Sequence, residues 1–132
     1  MNYGYAVLRA SAARAVATAG LHPTIGLFHA NRHNAFALAD DFMEPFRPLV
    51  DCAVRSILAD HGVEDDSNAK QALARLVATG LSLGDGVTLV SVTLMKQTTS
   101  LGQNYEAGKL DVALRRPPAL LTLAGLDRRR AR

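Results

Sequence analysis

The run AFALADDFMEPFRPLVD at residues 35–51 sets the fold of this 132-residue chain. Its apolar residues recur at steps of three and four, which is the period of one helix face. The stripe continues beyond the run and comprises Leu38, Phe42, Phe46, Leu49, Ala53 and Ile57. This period predicts an amphipathic helix over residues 35–60, with Asn34 as its N-cap. Pro45 and Pro48 each remove a backbone N–H, so we expect a kink or a break beside them.

The chain upstream of this helix also predicts helical structure. Residues 2–19 are rich in Ala, Leu and Arg, which are good helix formers, and Gly20 follows in the C-cap position. Residues 20–34 contain two glycines and a proline near their start, so we expect an ordered connection there rather than a regular element. The first helical pattern is already running at residue 2, as in a chain whose upstream part is missing.

The downstream half predicts a shorter helix, a hairpin and a long helix. The helix covers residues 69–79, after an acidic loop whose last residues offer N-caps. Residues 81–83 and 87–89 are then expected to pair across a glycine-rich turn. A further helix is expected over residues 89–106. Its many β-branched side chains leave a strand start near residues 87–92 as an alternative.

Composition indicates one mainly helical domain over residues 1–132. Apolar residues make up 48% of the chain and charged residues 20%, as in ordinary globular proteins. With no Trp and 5% aromatic residues, the core must be built from Ala, Leu and Val, which suits close-packed helices. The single cysteine, Cys52, cannot form an internal disulfide and is expected to be a small buried apolar residue. We see no signal-peptide pattern and no membrane-length apolar run, so the sequence predicts a cytoplasmic protein.

The net charge of +3 is unevenly distributed. Residues 115–132 contain six Arg and one Asp, or +5, which leaves −2 for the rest of the chain. This basic C-terminal tail could touch phosphates, although a solvated, frayed terminus is the simpler explanation. Regular structure is expected to end at Pro117 and Pro118.

Three ionisable side chains stand out as candidates for chemistry: His29, Asp41 and Glu44. Asp41 and Glu44 are three positions apart, so a helix projects them from one face. Two carboxylates on one face repel, unless water, a basic partner or a cation compensates. Oxygen ligands with an imidazole suit Mg²⁺ or Mn²⁺, the ions that stabilise charge on a phosphate under attack.

The same pattern has plainer explanations. Acidic pairs are common on exposed helix faces, and Asp40 beside Asp41 makes the pair less distinctive. Arg47, three residues after Glu44, would form an ordinary surface ion pair. His29 follows two apolar residues and could be a buried core histidine. No phosphate-binding loop, nucleophile elbow or zinc cluster is encoded.

A specific resemblance favours the metal interpretation. The run GLHPTIGLFH at residues 20–29, followed by residues 34–51, resembles the C-terminal domain of the CRISPR-associated adaptation nuclease. That enzyme is the integrase that inserts new spacers into the repeat array. The chain is most similar to the branch that accompanies type II systems. Residues 2–9, NYGYAVLR, match the helix that precedes this region in the family.

The resemblance implies a ligand set. By motif position His29 takes the family's histidine role, Glu44 the metal-binding carboxylate, and Asp41 the auxiliary acid one turn earlier. The cofactor is then Mg²⁺ or Mn²⁺. The family's upstream glutamate and its β-rich N-terminal domain, which builds the homodimer, have no counterpart here. We therefore expect a truncated chain with a weakened site.

The resemblance also implies a function. It predicts a metal-dependent DNA endonuclease and integrase of spacer acquisition, an antiviral defence, with a companion adaptation subunit as partner. Its DNA substrates are the spacer precursor and the repeat ends. Arg47 and Arg32 are candidates for contacts to DNA, although for Arg47 an ion pair with Glu44 or Asp51 is the simpler role. The alternative is a non-catalytic helical domain that binds DNA or a partner.

Overall fold

The computed structural model describes residues 2–28, 31–61, 66–78, 80–83, 86–108 and 122–123. Its α-helices are α1 (Asn2–Thr18), α2 (Ala37–Met43), α3 (Arg47–His61), α4 (Asp66–Ala74) and α5 (Val90–Glu106). Two 3₁₀ helices cover Glu44–Phe46 and Arg75–Ala78, and three short strands are β1 (Gly80–Leu83), β2 (Gly86–Leu89) and β3 (Thr122–Leu123). The fold is mainly α, as the composition predicts.

Helix α1 lies at the centre and packs against α2, α4 and α5. Its inward residues are mostly small: Gly4, Leu8, Ala12, Ala15 and Val16. A Cβ atom built on Gly4 would lie 2.7 Å from Cγ1 of Val50 and 3.2 Å from Cδ2 of Leu73. Helix α1 can therefore approach α3 and α4 this closely only because position 4 carries no side chain.

Gly20 ends α1 as the sequence predicts. Its φ is +71°, the left-handed conformation that glycine adopts without strain. The N–H of Gly20 donates to the carbonyl of Ala17 at 3.0 Å, and the N–H of Leu21 donates to the carbonyl of Val16 at 3.1 Å. These two bonds satisfy carbonyls that the end of a helix would otherwise leave unpaired.

The predicted second helix is broken where its prolines stand. Helix α2 ends at Met43, a 3₁₀ turn carries Pro45, and α3 begins again at Arg47. The apolar stripe still faces inward, because Leu38, Phe42, Phe46 and Leu49 are all buried.

The prediction that Asn34 is the N-cap is wrong. Helix α2 begins at Ala37, and no cap hydrogen bond comes from the side chain of Phe36, which precedes it. Oδ1 of Asn34 instead accepts the N–H of Phe36 at 3.0 Å, so Asn34 closes a turn before the helix starts.

The downstream elements follow the predicted order with shifted boundaries. Helix α4 begins at Asp66, so the expected N-caps lie in its first turn. Strands β1 and β2 form the expected antiparallel hairpin, with Leu81 opposite Thr88. Helix α5 starts at Val90, directly after β2. Residues 87–89 therefore lie in a strand and residues 90–92 in a helix, so the predicted strand start and the predicted helix are each partly correct.

Two expectations are wrong: that Cys52 is buried and that regular structure ends at Pro117 and Pro118. Cys52 is exposed, because Leu49, Val50 and Ala53 provide the inward side of α3 at this level. Regular structure also continues past Pro118, since Thr122–Leu123 pairs antiparallel with the edge of β1. The remainder of the predicted basic tail at 115–132 lies outside the described residues. In the described part of the chain, no helix has both the length and the hydropathy needed to cross a membrane.

Candidate functional site

The predicted site lies where α2 ends and the 3₁₀ turn begins. Asp41 belongs to the last part of α2, and Glu44 is the first residue of the 3₁₀ turn. His29 and Ala30 lie outside the described residues, so the position of the imidazole stays a prediction. The described chain reaches Phe28 on one side of them and resumes at Asn31 on the other.

Asp41 is buried, with 4% of its surface exposed. Its Oδ2 accepts two backbone hydrogen bonds, from the N–H of Leu27 at 2.5 Å and from the N–H of Phe28 at 3.0 Å. Hydrogen bonds from N–H groups to a carboxylate are charge-assisted, and they compensate for its burial. Asp41 therefore holds the chain up to the residue that precedes His29.

Glu44 has a different environment. Its side chain is 44% exposed, and Oε1 lies 3.0 Å from Nη2 of Arg47, whose side chain is 47% exposed. The pairing of Arg47 with Glu44 that the sequence suggested is therefore present. The guanidinium carbon of Arg47 also lies 5.6 Å from the ring centroid of Tyr5. Asp41 and Glu44 are one turn apart, but one faces the interior and the other faces solvent.

Tyr5, whose ring lies beside Arg47, also bonds to α3. Its hydroxyl donates a 2.6 Å hydrogen bond to Oδ1 of Asp51, which ties α1 to α3. That hydrogen bond raises the pKa of Tyr5 above its ordinary value of 10.0, with smaller contributions from desolvation and from the charge of Asp51, while Arg47 acts in the opposite direction. Asp51 is thus bonded to Tyr5, and it is Glu44 that pairs with Arg47.

Sequence reasoning missed the role of Asp40. Its carboxylate forms a bidentate ion pair with Arg9 of α1, at 2.6 Å from Nε to Oδ1 and 2.8 Å from Nη2 to Oδ2. The amide of Asn34 donates a further bond of 2.7 Å to Oδ2 of Asp40. Arg9 is 31 positions away in sequence, so neither spacing nor periodicity could indicate this pair.

The loop before α2 presents basic and apolar side chains to solvent. Phe28 is 76% exposed. Arg32 is exposed, as are His22 and His33. Residues 20–39 contain no Asp or Glu. This surface can therefore attract an anion.

The donor set can be tested against a divalent cation. Glu44 fits, because it is a solvent-facing hard oxygen donor whose present partner is an exposed arginine. Oδ2 of Asp41 already accepts two backbone N–H groups. Among the described residues, no three His, Cys, Asp or Glu side chains gather closely enough to hold a metal ion. A site here thus depends on His29, which lies outside that set.

Comparisons with known proteins agree with the fold and the motif. A CRISPR-associated endonuclease Cas1 of Neisseria meningitidis is 56% identical over 54 residues, which are 41% of this chain and 18% of that protein. A second, from Pyrobaculum aerophilum, is 35% identical over 81 residues, which are 61% of this chain and 28% of that protein. The matches thus span between 18% and 28% of these relatives' length.

A solved structure shares the fold over most of the chain. The structure described as a casposase bound to integration product superposes with a TM-score of 0.69 at 23% identity, covering 82% of this chain and 37% of that one. The sequence model of the family described as CRISPR associated protein Cas1 matches residues 1–81, more than half of the chain. The chain belongs to the Cas1 family of CRISPR-associated proteins.

Proposed function

We propose that this chain carries part of a divalent-metal site for cutting and joining DNA strands during CRISPR spacer acquisition. The observation that carries the proposal is the double hydrogen bond from Leu27 and Phe28 to the buried carboxylate of Asp41. It ties the segment leading to His29 to the same turn of chain that presents Glu44. The family relationship supplies the activity, since its relatives are named CRISPR-associated endonucleases.

In this proposal His29 and Glu44 hold a Mg²⁺ or Mn²⁺ ion, and Asp41 acts as the auxiliary acid. When bound, such an ion orients a phosphate and stabilises the charge that develops on it. Glu44 supplies a negatively charged oxygen, and Arg47 neutralises that carboxylate until a cation arrives. Asp41 acts on the site through the backbone of residues 27 and 28, or through water.

The proposed reaction is an in-line transfer at phosphorus. The 3′-hydroxyl oxygen of a DNA end forms a bond to a repeat phosphorus, and the bond from that phosphorus to the 3′ oxygen of the repeat strand breaks. The attacking hydroxyl loses its proton, and the departing oxygen gains one. Cleavage is the same exchange with water as the attacking group, so one site serves both activities.

The DNA would approach over the loop before α2. Arg32 is exposed there, Arg47 lies beside Glu44, and residues 20–39 carry no acidic group to repel phosphates. The casposase that shares this fold is described as bound to integration product. We include in the proposal a homodimer and a companion adaptation subunit, both of which the family resemblance implies.

A second candidate function is binding without catalysis, to DNA or to a partner protein. The observation that favours it is the exposure of three apolar side chains around the loop: Ile25 at 66%, Phe28 at 76% and Phe36 at 43%. Exposed apolar groups beside basic ones suit an interface as well as an active site.

The two candidates differ in their response to loss of the ligands. We expect Mn²⁺-dependent nicking and strand transfer on branched DNA to fall by about 100-fold or more in His29→Ala and in Glu44→Ala, because each removes a metal ligand. The matched control is Glu106→Ala, which removes an exposed carboxylate at the end of α5, away from this loop. This control should retain the activity.

Activity that is equal in the wild type and in both ligand variants would contradict the proposed site. DNA binding without metal-dependent cleavage, indifferent to Glu44→Ala, would establish the binding function instead.

A further inference from the structure

We infer that Tyr5 is a positioning residue for Arg47, whose guanidinium it keeps at the surface, where the guanidinium contacts a DNA phosphate. Tyr5 acts in two ways. Its hydroxyl bonds to Asp51, the other acid within reach of Arg47, and its ring lies beside the guanidinium. The inference rests on the proposed function, because it assigns a substrate contact to an arginine at the proposed DNA surface. It concerns α1 and α3 and requires no bound metal.

Arg47 and Asp51 have the spacing of a helical ion pair. They are one turn apart in α3, and side chains four positions apart are neighbours on a helix surface. Each nevertheless has a different partner. Nη2 of Arg47 lies 3.0 Å from Oε1 of Glu44. Oδ1 of Asp51 accepts the hydroxyl of Tyr5 at 2.6 Å. A residue of α1 has therefore replaced the arginine as the partner of Asp51.

The hydroxyl of Tyr5 determines the partner of Asp51. Tyr5 is partly buried and packs against the core cluster, so the core holds its ring in place. A hydroxyl that donates to a carboxylate forms a short, charge-assisted hydrogen bond, and the 2.6 Å distance agrees with this. Without the hydroxyl, the Asp51 carboxylate would be available to the cation one turn away, Arg47.

The ring of Tyr5 supports the position of Arg47. The guanidinium carbon lies 5.6 Å from the ring centroid, within the range of a cation–π contact. The ring meets the face of the guanidinium, so the N–H groups at its edge are still directed outwards. The Arg47 side chain is 47% exposed. A planar cation with N–H groups along an exposed edge is well suited to binding a phosphate.

The charges around Arg47 explain why its partner matters. If Arg47 paired with both Glu44 and Asp51, two negative charges would surround one guanidinium and repel a phosphate. Because Tyr5 is a neutral donor, it satisfies Asp51 without using the arginine. The remaining partner, Glu44, is exposed. An exposed ion pair contributes little stability, so a phosphate can share Arg47 with Glu44.

The test is a double-mutant cycle on DNA affinity. Fluorescence anisotropy with branched DNA in EDTA measures binding without metal or cleavage. Tyr5→Phe keeps the ring and removes the hydroxyl, so Asp51 captures Arg47, and we expect the dissociation constant to rise by about 3- to 10-fold. In the Asp51→Asn background the same change should have almost no effect, because no charge is left to capture the guanidinium. A merely structural role for this bond predicts the same loss in both backgrounds.

A second readout requires no DNA. In the wild type the ring current of Tyr5 should shift the side-chain proton resonances of Arg47 upfield. Phe has a similar ring current, so loss of this shift in Tyr5→Phe would report that the guanidinium has moved towards Asp51. The matched control is Tyr105→Phe, which removes the hydroxyl of an exposed tyrosine in α5. It should leave both the shift and the DNA affinity unchanged.

Arg47→Gln separates this inference from the proposed function. It should weaken DNA binding by at least as much as Tyr5→Phe does, and by more than Arg55→Gln, which makes the same charge change at an exposed position of α3. Equal effects of the two arginine variants would contradict the proposed DNA contact of Arg47, and the inference with it.

Three results would overturn the inference while leaving the DNA contact in place. The first is a loss of affinity in Arg47→Gln with none in Tyr5→Phe. The second is an equal loss from Tyr5→Phe with and without the Asp51 charge. The third is an unchanged ring-current shift of Arg47 in Tyr5→Phe.

Discussion

Three carboxylates lie within five residues of one another, and each has a different partner. Asp40 pairs with a guanidinium, Asp41 accepts two backbone N–H groups, and Glu44 lies at the surface beside Arg47. The residue type is almost the same, so the environment decides the role. The most buried of the three, Asp41, holds the backbone, and the most exposed, Glu44, is the one that fits a cation.

The clearest test at the residue scale concerns the Tyr5–Asp51 hydrogen bond. Because this bond raises the pKa of Tyr5 in the folded state, its stabilisation is complete below pH 10 and is lost as the pH rises through the folded pKa. The difference in unfolding free energy between the wild type and Tyr5→Phe should therefore shrink above pH 10. Urea denaturation between pH 8 and pH 11 measures it.

The titration of Tyr5 itself provides the control. Its ring ¹³C shifts should titrate closer to the ordinary tyrosine value in Asp51→Asn, where the acceptor's charge is removed. An unfolding free energy that depends on pH identically in the wild type and in Tyr5→Phe would refute this assignment.

At the scale of elements, the break between α2 and α3 separates the environments of Asp41 and Glu44. Pro45 removes an N–H at the break, and the 3₁₀ turn that carries it tightens the chain. Phe42 precedes Pro45 and Phe46 follows it, and both side chains are buried in the core. Glu44 thus lies at a helix break, where its carboxylate is directed to solvent.

Helix packing gives a paired prediction from two glycines. Gly4→Ala should destabilise the chain by about 1–3 kcal/mol, since the new Cβ would lie 2.7 Å from Val50. Gly102→Ala in α5 should stabilise it by up to about 1 kcal/mol, because its Cβ would meet Ala19 at an ordinary 3.5 Å and the helix gains a better former. Urea denaturation of both variants measures the two changes. Equal changes in both variants would show that close approach at Gly4 is not the cause.

At the scale of the molecule, α1 connects most of the structure. It packs on α2, α4 and α5. Its Arg9 also bonds to Asp40 and its Tyr5 to Asp51, which lie before and after Asp41 and Glu44 in the sequence. The proposed site therefore depends on a helix that supplies none of its predicted ligands. A loss of packing along α1 should loosen the whole molecule rather than one element.

Leu8→Ala tests this dependence. Leu8 is 1% exposed in the core cluster, and its truncation should cost about 2–5 kcal/mol of unfolding free energy. Hydrogen exchange should rise together in α2 and α5, because one cooperative unit is weakened. Ala17→Ser, at an exposed position of the same helix, should change stability by about 0.5 kcal/mol or less. Faster exchange in α1 alone would contradict the prediction.

The helices and their order could be predicted from the amino-acid sequence alone. The spacing of apolar residues, the prolines and Gly20 act over a few neighbouring residues. Local patterns therefore predicted α1, the broken second helix and the hairpin. The motif around residues 20–51 also indicated the family, which the comparisons confirm. The ligand roles of His29, Asp41 and Glu44 stay predictions.

Which side chains meet depends instead on tertiary packing. The pairing of Arg9 with Asp40, the bond from Tyr5 to Asp51 and the anchoring of residues 27 and 28 by Asp41 all join positions that lie far apart in the chain. No local pattern encodes such contacts, because they arise when packed helices bring distant residues within hydrogen-bonding distance. For the same reason the exposure of Cys52 and the pairing of β3 with β1 could not be predicted.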